Sequence, residues 1–169
     1  MSTPNDYSTD EWQAITAAPV AAGLAVAMSH WNGLTVDRND TRTIERAIAR
    51  STMGDAPEIV KVIARGTNIP RSGGECTAIP GDERRYRKEL LISIVRTAVR
   101  AVEKQSPAEV EPFKAWLASV AAKVFHAANT NTLPRSLAAP LSHRERDAID
   151  RLADVLRARS SRSAGSARS

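Results

Sequence analysis

The single cysteine is the residue that most directly suggests covalent chemistry. Cys76 lies where residues 72–77 read SGGECT, in a stretch without helical periodicity. A nucleophilic cysteine needs a nearby base to raise its thiolate fraction, and no histidine occurs in this segment. The two glycines lack the spacing of a phosphate-binding P-loop. We therefore expect an incidental loop thiol, and a lone cysteine leaves no internal disulfide.

Three histidines are candidate metal ligands: His30, His126 and His143. Each falls near the end or the start of a different predicted helix. The chain lacks the HxxxH and ExxH spacings with which one helix face holds a metal ion. We expect no metal and no other cofactor.

The densest basic group in the predicted helices is Arg84, Arg85, Arg87 and Lys88. Cations at a helix N-terminus oppose the helix dipole, so helix propensity alone does not explain them. Asp82 and Glu83 compensate in part. These basic residues could bind phosphate or an acidic partner helix, or form a solvated face. Together with Trp116 they are our candidate binding residues, and we assign no catalytic residue.

The net charge of +5 is concentrated at the C-terminus. Four of these charges belong to arginines that have no acidic residue among them: Arg157, Arg159, Arg162 and Arg168. The rest of the chain is nearly neutral, which argues against a fold that binds nucleic acid through a basic face. A weak, salt-sensitive nucleic-acid contact through the tail is the alternative.

The composition favours helices. Apolar residues make up 42% of the 169 residues, but aromatic residues only 4%, and alanine is abundant. We predict an all-α bundle of five to six helices. The expected organisation is a flexible leader (1–7), one helical domain (8–156) with a long loop (66–81), and a disordered basic tail (157–169).

Capping patterns give the predicted helix starts. Ser8 with Glu11, Ser106 with Glu109, and Ser142 with Glu145 form capping boxes, and Asp40 and Asp55 are single caps. Proline at position 19 should kink or break the first helix. Near Pro112 a helix should either begin or kink.

Two long helices in the middle of the chain, residues 82–104 and 107–129, are predicted to pair antiparallel. The first has apolar residues at every fourth position, namely Tyr86, Leu90, Ile94, Ala98 and Val102. The second has an apolar seam at alternating spacings of three and four, namely Val110, Phe113, Leu117, Val120, Val124 and Ala127.

Small residues suggest close helix contacts. Ala21, Ala22, Gly23 and Ala25 lie in the first helix, and Ala121, Ala122, Ala127 and Ala128 lie in the second of the two long central helices. This is more small-residue surface than one intrachain contact needs. With Trp12, Trp31 and Trp116 as large anchors, it predicts a homodimer through helix faces, or a helical protein partner.

Targeting signals are not apparent. The N-terminal residues lack the basic region of a signal peptide. The apolar run Ala17–Met28 is shorter than the ~20 residues that span a bilayer. We expect a cytoplasmic protein without a membrane contact.

Three sequence segments resemble those of a known group of proteins: EWQAITAAPVAAGLAV, FKAWLASVAAKVFHAA and LSHRERDAIDRLADVL. They resemble small bacterial helical proteins that are themselves reminiscent of the tellurite-resistance TerB-like bundles. The resemblance implies an all-α fold. The acidic DGxxxxE element of TerB-like domains does not occur here, so no site residue follows from it.

These observations favour a non-catalytic helical binding or assembly module. The alternatives are a nucleic-acid-associated protein and a small helical enzyme or ligand-binding protein with a site beside the 66–81 loop. The hypothesis of a nucleic-acid-associated protein requires Arg84, Arg85 and Arg87 to share a helix face with Arg96 or Arg100. The hypothesis of an enzyme requires convergent polar groups in an apolar cavity.

Overall fold

The computed structural model describes residues 4–30, 38–51, 58–66, 81–131 and 143–157. These form six α-helices and no strands, which confirms the all-α bundle. The helices are α1 (Thr9–His30), α2 (Arg38–Ser51), α3 (Glu58–Gly66), α4 (Gly81–Gln105), α5 (Val110–Asn131) and α6 (His143–Arg157). Short 3-10 turns cover Pro4–Asp6 and Pro107–Glu109.

Helix α1 is the centre of the bundle. It packs against each of the other five helices, and buried residues occur all around it. Ile15, Ala18 and Ala22 are fully buried. Because its sequence is apolar on every side, α1 can be covered on every side without burying charge. The expectation of a buried packing helix is confirmed.

The most extensive helix contact is between α1 and α4, not between α4 and α5. Lys104 in the last turn of α4 binds Glu11 in the first turn of α1, with Nζ 3.4 Å from Oε1, so the two helices run antiparallel. The expected α4–α5 pair is therefore wrong. The apolar seam of α5 is buried as predicted, but mainly against α1 and α2.

The predicted apolar face of α4 is wrong at its first two positions. Tyr86 is 71% exposed and Leu90 is 50% exposed, whereas Ala98 and Val102 are fully buried. Residues four apart are rotated by about 40° beyond one full turn, so a strict spacing of four moves steadily around the helix. Over the four steps from Tyr86 to Val102, the predicted positions therefore pass from the solvent side of α4 to its core side.

The N-terminal cap of α1 is confirmed. The Ser8 backbone N–H donates to Glu11 Oε2 at 2.9 Å, and the Glu11 N–H donates to Ser8 Oγ at 3.2 Å. Tyr7, within the expected leader, is buried, and its ring lies 5.8 Å from that of Trp12.

The cap expected at Ser106 is wrong. The Ser106 side chain makes no capping hydrogen bond, and the Glu109 N–H bonds to the Ser106 backbone carbonyl instead. The Ser106 hydroxyl accepts a 3.5 Å hydrogen bond from Tyr7. The chain enters α5 through the 3-10 turn Pro107–Glu109 instead of the expected capping box.

Other expected helix limits differ in detail. Asp40 lies inside α2, which begins at Arg38, so it is not the N-cap. Pro19 does not break α1. Helix α5 begins close to Pro112, where the proline removes an N–H that has no intrahelical acceptor anyway. Several features of the sequence analysis lie outside the described residues: Asp55, Ser142, Trp31, loop residues 67–80 and tail residues 158–169.

Candidate binding groove between α5 and α6

A groove of about 690 Å³ lies between α5 and α6. Five of its fourteen lining residues are alanines: Ala115, Ala118, Ala121, Ala122 and Ala153. Larger apolar residues complete it: Val26 of α1, Phe125 of α5, and Ile149, Leu152 and Leu156 of α6. Charged residues at the groove are Glu111, Lys114, Asp150 and Arg157.

The sequences of the two helices explain why this space stays open. Helix α6 is amphipathic and turns its apolar side towards the bundle, where Leu152 is buried. The facing side of α5 has alanines where a larger residue would fill the gap. Ile149 and Leu156 consequently remain only half-buried, and apolar surface lines the groove.

Lys114 is the one buried charged residue in the described part of the chain. It is 3% exposed, and its Nζ lies 3.1 Å from Oε1 of Glu111, one turn earlier on α5. The side chain of Glu111 is 70% exposed. The ion pair therefore joins the buried ammonium group of Lys114 to the solvent-exposed carboxylate of Glu111.

The sequence contains a signal for this lysine that periodicity analysis of the apolar residues missed. Lys114 follows Val110 by four residues and precedes Leu117 by three, so it lies beside the buried seam of α5. A lysine at such a position is unusual, because lysine is rarely fully buried. The groove itself could not be predicted, since it depends on where α6 docks.

The predicted basic cluster lies elsewhere. Arg84 and Arg85 belong to the first turns of α4, while Arg87 is exposed and Lys88 half-buried. Neither Arg87 nor Lys88 lines the groove. Arg96 and Arg100 follow Arg87 by nine and thirteen residues, which places them about 180° and about 140° from it around α4. The nucleic-acid hypothesis requires a shared helix face, and Arg87 does not share one with either residue.

Trp116 is a core residue. It is 6% exposed, its ring lies 6.1 Å from that of Phe113, and it does not line the groove. Its Nε1–H is buried without a hydrogen-bond acceptor among the described residues. Trp116 is therefore not a surface anchor.

The three histidines lie on three different helices, α1, α5 and α6, as expected. His126 is exposed. Within the described ranges, no group of three or more His, Cys, Asp or Glu residues could hold a metal ion. Cys76 lies outside those ranges.

No described helix combines the length and the apolar character that crossing a membrane requires. No family model, curated protein or solved structure matches the chain. The comparisons therefore do not bear on the TerB-like resemblance.

Proposed function

We propose that this chain is a non-catalytic binding module that holds an elongated apolar molecule in the groove between α5 and α6. The observation that supports it is the apolar, alanine-lined space of about 690 Å³. This volume falls within the range of roughly 300–1,000 Å³ that is typical of small-molecule sites.

The groove is long as well as apolar. Its lining residues on α5 extend from Glu111 to Phe125, which corresponds to about 20 Å along the helix axis. Alanine side chains make a smooth wall with little to distinguish one position from the next. Such a wall fits a linear aliphatic chain better than a compact polar metabolite.

The lining favours binding over catalysis. The described residues around the groove include no histidine, cysteine, serine, threonine or tyrosine. The described lining therefore supplies no hydroxyl, thiol or imidazole group for nucleophilic catalysis.

A neutral, apolar dye tests this proposal directly. Nile red should bind the protein and gain fluorescence, and Ala118→Phe should weaken its binding because the ring fills the groove. Ala49→Phe is the matched control, since Ala49 is an exposed alanine on α2. If the dye binds Ala118→Phe as tightly as the unaltered protein, the groove is not the site.

A second candidate function is self-association, which the exposure of Tyr86 and Leu90 favours. They are the large hydrophobic residues left exposed in the described part of the chain. With Ser93, Thr97 and Arg100 they form what we call the α4 stripe, at spacings of four, three, four and three residues. All five are exposed. This is the heptad spacing with which helices pair.

The α4 stripe is complementary to itself. If two copies pair antiparallel around Ser93, Tyr86 of one copy meets Arg100 of the other, where the guanidinium can lie against the ring. Leu90 then meets Thr97, and the small Ser93 at the centre lets the helices approach closely. The small residues Ala21, Ala22, Gly23 and Ala25 do not contribute, because all are buried within the chain.

Sedimentation equilibrium at micromolar concentration tests this second candidate. Leu90→Glu should convert a dimer to a monomer, because each new carboxylate would have to lose its water at the contact with Thr97 of the other copy. Ala49→Glu adds the same charge on a different exposed helix face and should leave the dimer intact. A monomeric unaltered protein, or a dimer insensitive to Leu90→Glu, rejects the α4 stripe as the interface.

We also infer a cytoplasmic location, which the single cysteine supports because reducing compartments do not select for disulfides. Cell fractionation tests it.

A further inference from the structure

We propose that the ligand of the α5–α6 groove is an amphiphile with a carboxylate head, and that Lys114 binds this carboxylate. The proposal rests on the function proposed above and specifies the chemical class of the ligand. It is carried by the position of a buried ammonium group at the wall of an apolar groove.

Lys114 differs from every other charged residue at the groove. Asp150 and Arg157 are exposed, and the Glu111 side chain is 70% exposed, so water screens their charges. Lys114 is 3% exposed. A charge in such surroundings interacts more strongly with a nearby opposite charge than a solvated one does. The buried ammonium therefore dominates the electrostatic preference of the groove.

The existing ion pair can be exchanged for a ligand. Because the Glu111 side chain is 70% exposed, it can release Lys114 without becoming a buried, unpaired charge. A ligand carboxylate can thus bind Lys114 in place of Glu111.

The direction of the ligand follows from the order of residues along α5. Lys114 lies near the start of the helix and Phe125 about three turns further on, which is roughly 16 Å along its axis. The alanines between them have no polar side-chain atoms. A carboxylate at Lys114 would place the aliphatic tail along the alanines towards Phe125.

Competition against Nile red with two ligands of equal chain length tests the proposal. Decanoate and decanol differ in the head group, and the measured quantity is the ratio of their Kd values at pH 8. Lys114→Met should raise the decanoate-to-decanol ratio about tenfold, because it removes a charge-assisted hydrogen bond. The ratio isolates the effect on the head group, because both ligands have the same aliphatic tail.

Lys123→Met is the matched control, because it removes an exposed lysine from the same helix. It should leave the ratio as in the unaltered protein. A ratio that Lys114→Met does not change, or that Lys123→Met changes equally, overturns the proposal. Thermal unfolding of both variants verifies that the fold is retained.

The same experiment separates failure of the ligand class from failure of the groove. If both ligands bind, Ala118→Phe weakens both, and Lys114→Met leaves their ratio unchanged, the groove binds apolar chains without selecting a carboxylate. If neither ligand displaces the dye, the proposed function fails as well. A selective loss of decanoate affinity in Lys114→Met supports both proposals.

Discussion

Gly23 of α1 lies directly against Ile44 of α2. A Cβ atom added at Gly23 would be 2.7 Å from Cγ1 of Ile44 and 3.0 Å from its Cδ1. Both residues are buried, so the isoleucine has little space into which it can move. The absence of a side chain at position 23 thus sets how closely α1 and α2 approach.

Gly23→Ala should destabilise the protein despite the higher helix propensity of alanine. The propensity gain is about 1 kcal/mol, whereas overpacking a buried site costs about 1–3 kcal/mol. We expect a lower melting temperature by differential scanning calorimetry. In the double variant with Ile44→Ala, which removes the clashing atoms, the Gly23→Ala change should no longer be destabilising. Additive effects of the two changes would contradict the close contact.

Glu11 should make stability dependent on pH at acidic values. The hydrogen bond from the Ser8 backbone N–H, followed by that from the Ser8 hydroxyl and the pairing with Lys104, lowers the pKa of this carboxyl below its usual 4.5. The stabilisation is therefore present above the unfolded-state pKa and is lost as the pH falls through the lower pKa of the folded state.

Glu11→Gln should accordingly reduce the melting temperature at pH 7, with a difference that shrinks as the pH is lowered below 4.5. Asp10→Asn, on the adjacent exposed residue, is the control for loss of a carboxylate from the first turn. A Glu11→Gln effect of equal size at every pH would show that the carboxylate does not act through its ionised form.

Trp116→Phe should cost little stability. The indole N–H is buried without an acceptor among the described residues, and removing an unsatisfied donor recovers about 1–3 kcal/mol. That gain offsets much of the cost of the smaller ring. We expect urea unfolding to give a value within about 1 kcal/mol of the unaltered protein. Trp116→Ala, which leaves a cavity, should cost about 3–5 kcal/mol.

Apolar burial, more than its ion pair, should hold α6 in place. Arg151 of α6 pairs with Glu89 of α4, but both side chains are about half exposed. Such pairs contribute about 0–1 kcal/mol. Leu152, the next residue, is 3% exposed. Leu152→Ala should therefore cost about 2–5 kcal/mol in urea unfolding, and Arg151→Ala less than about 1 kcal/mol. The reverse order would contradict this account.

Local sequence rules predicted the helices well. The Ser8–Glu11 capping box is present, and the glycines that bound the expected 66–81 loop are the last residue of α3 and the first of α4. These features depend on a few neighbouring residues. The expected Ser106 cap does not form, and the Ser106 hydroxyl instead accepts a hydrogen bond from Tyr7, 99 positions away in the chain. Capping rules do not include such tertiary contacts.

Tertiary relationships were harder to predict from periodicity. Apolar spacing shows that a helix has a buried face but does not identify the helix that covers it. The spacing predicts an α4–α5 pair, whereas the main partner of α4 is α1. The same limit applies to the candidate binding groove. Lys114 can be picked out as a lysine within an apolar seam, whereas the groove beside it depends on the docking of α6.

The central position of α1 has a consequence for how the protein is made. Helix α1 is synthesised before α4, its most extensive partner, and 93 positions separate Glu11 from the Lys104 that it binds. At about 5–20 residues per second, the ribosome needs roughly 5–20 s to add that length of chain. During this interval, a helix with apolar residues on every side lacks its main partner. The nascent chain should therefore depend on chaperones that shield α1 until α4 has been synthesised.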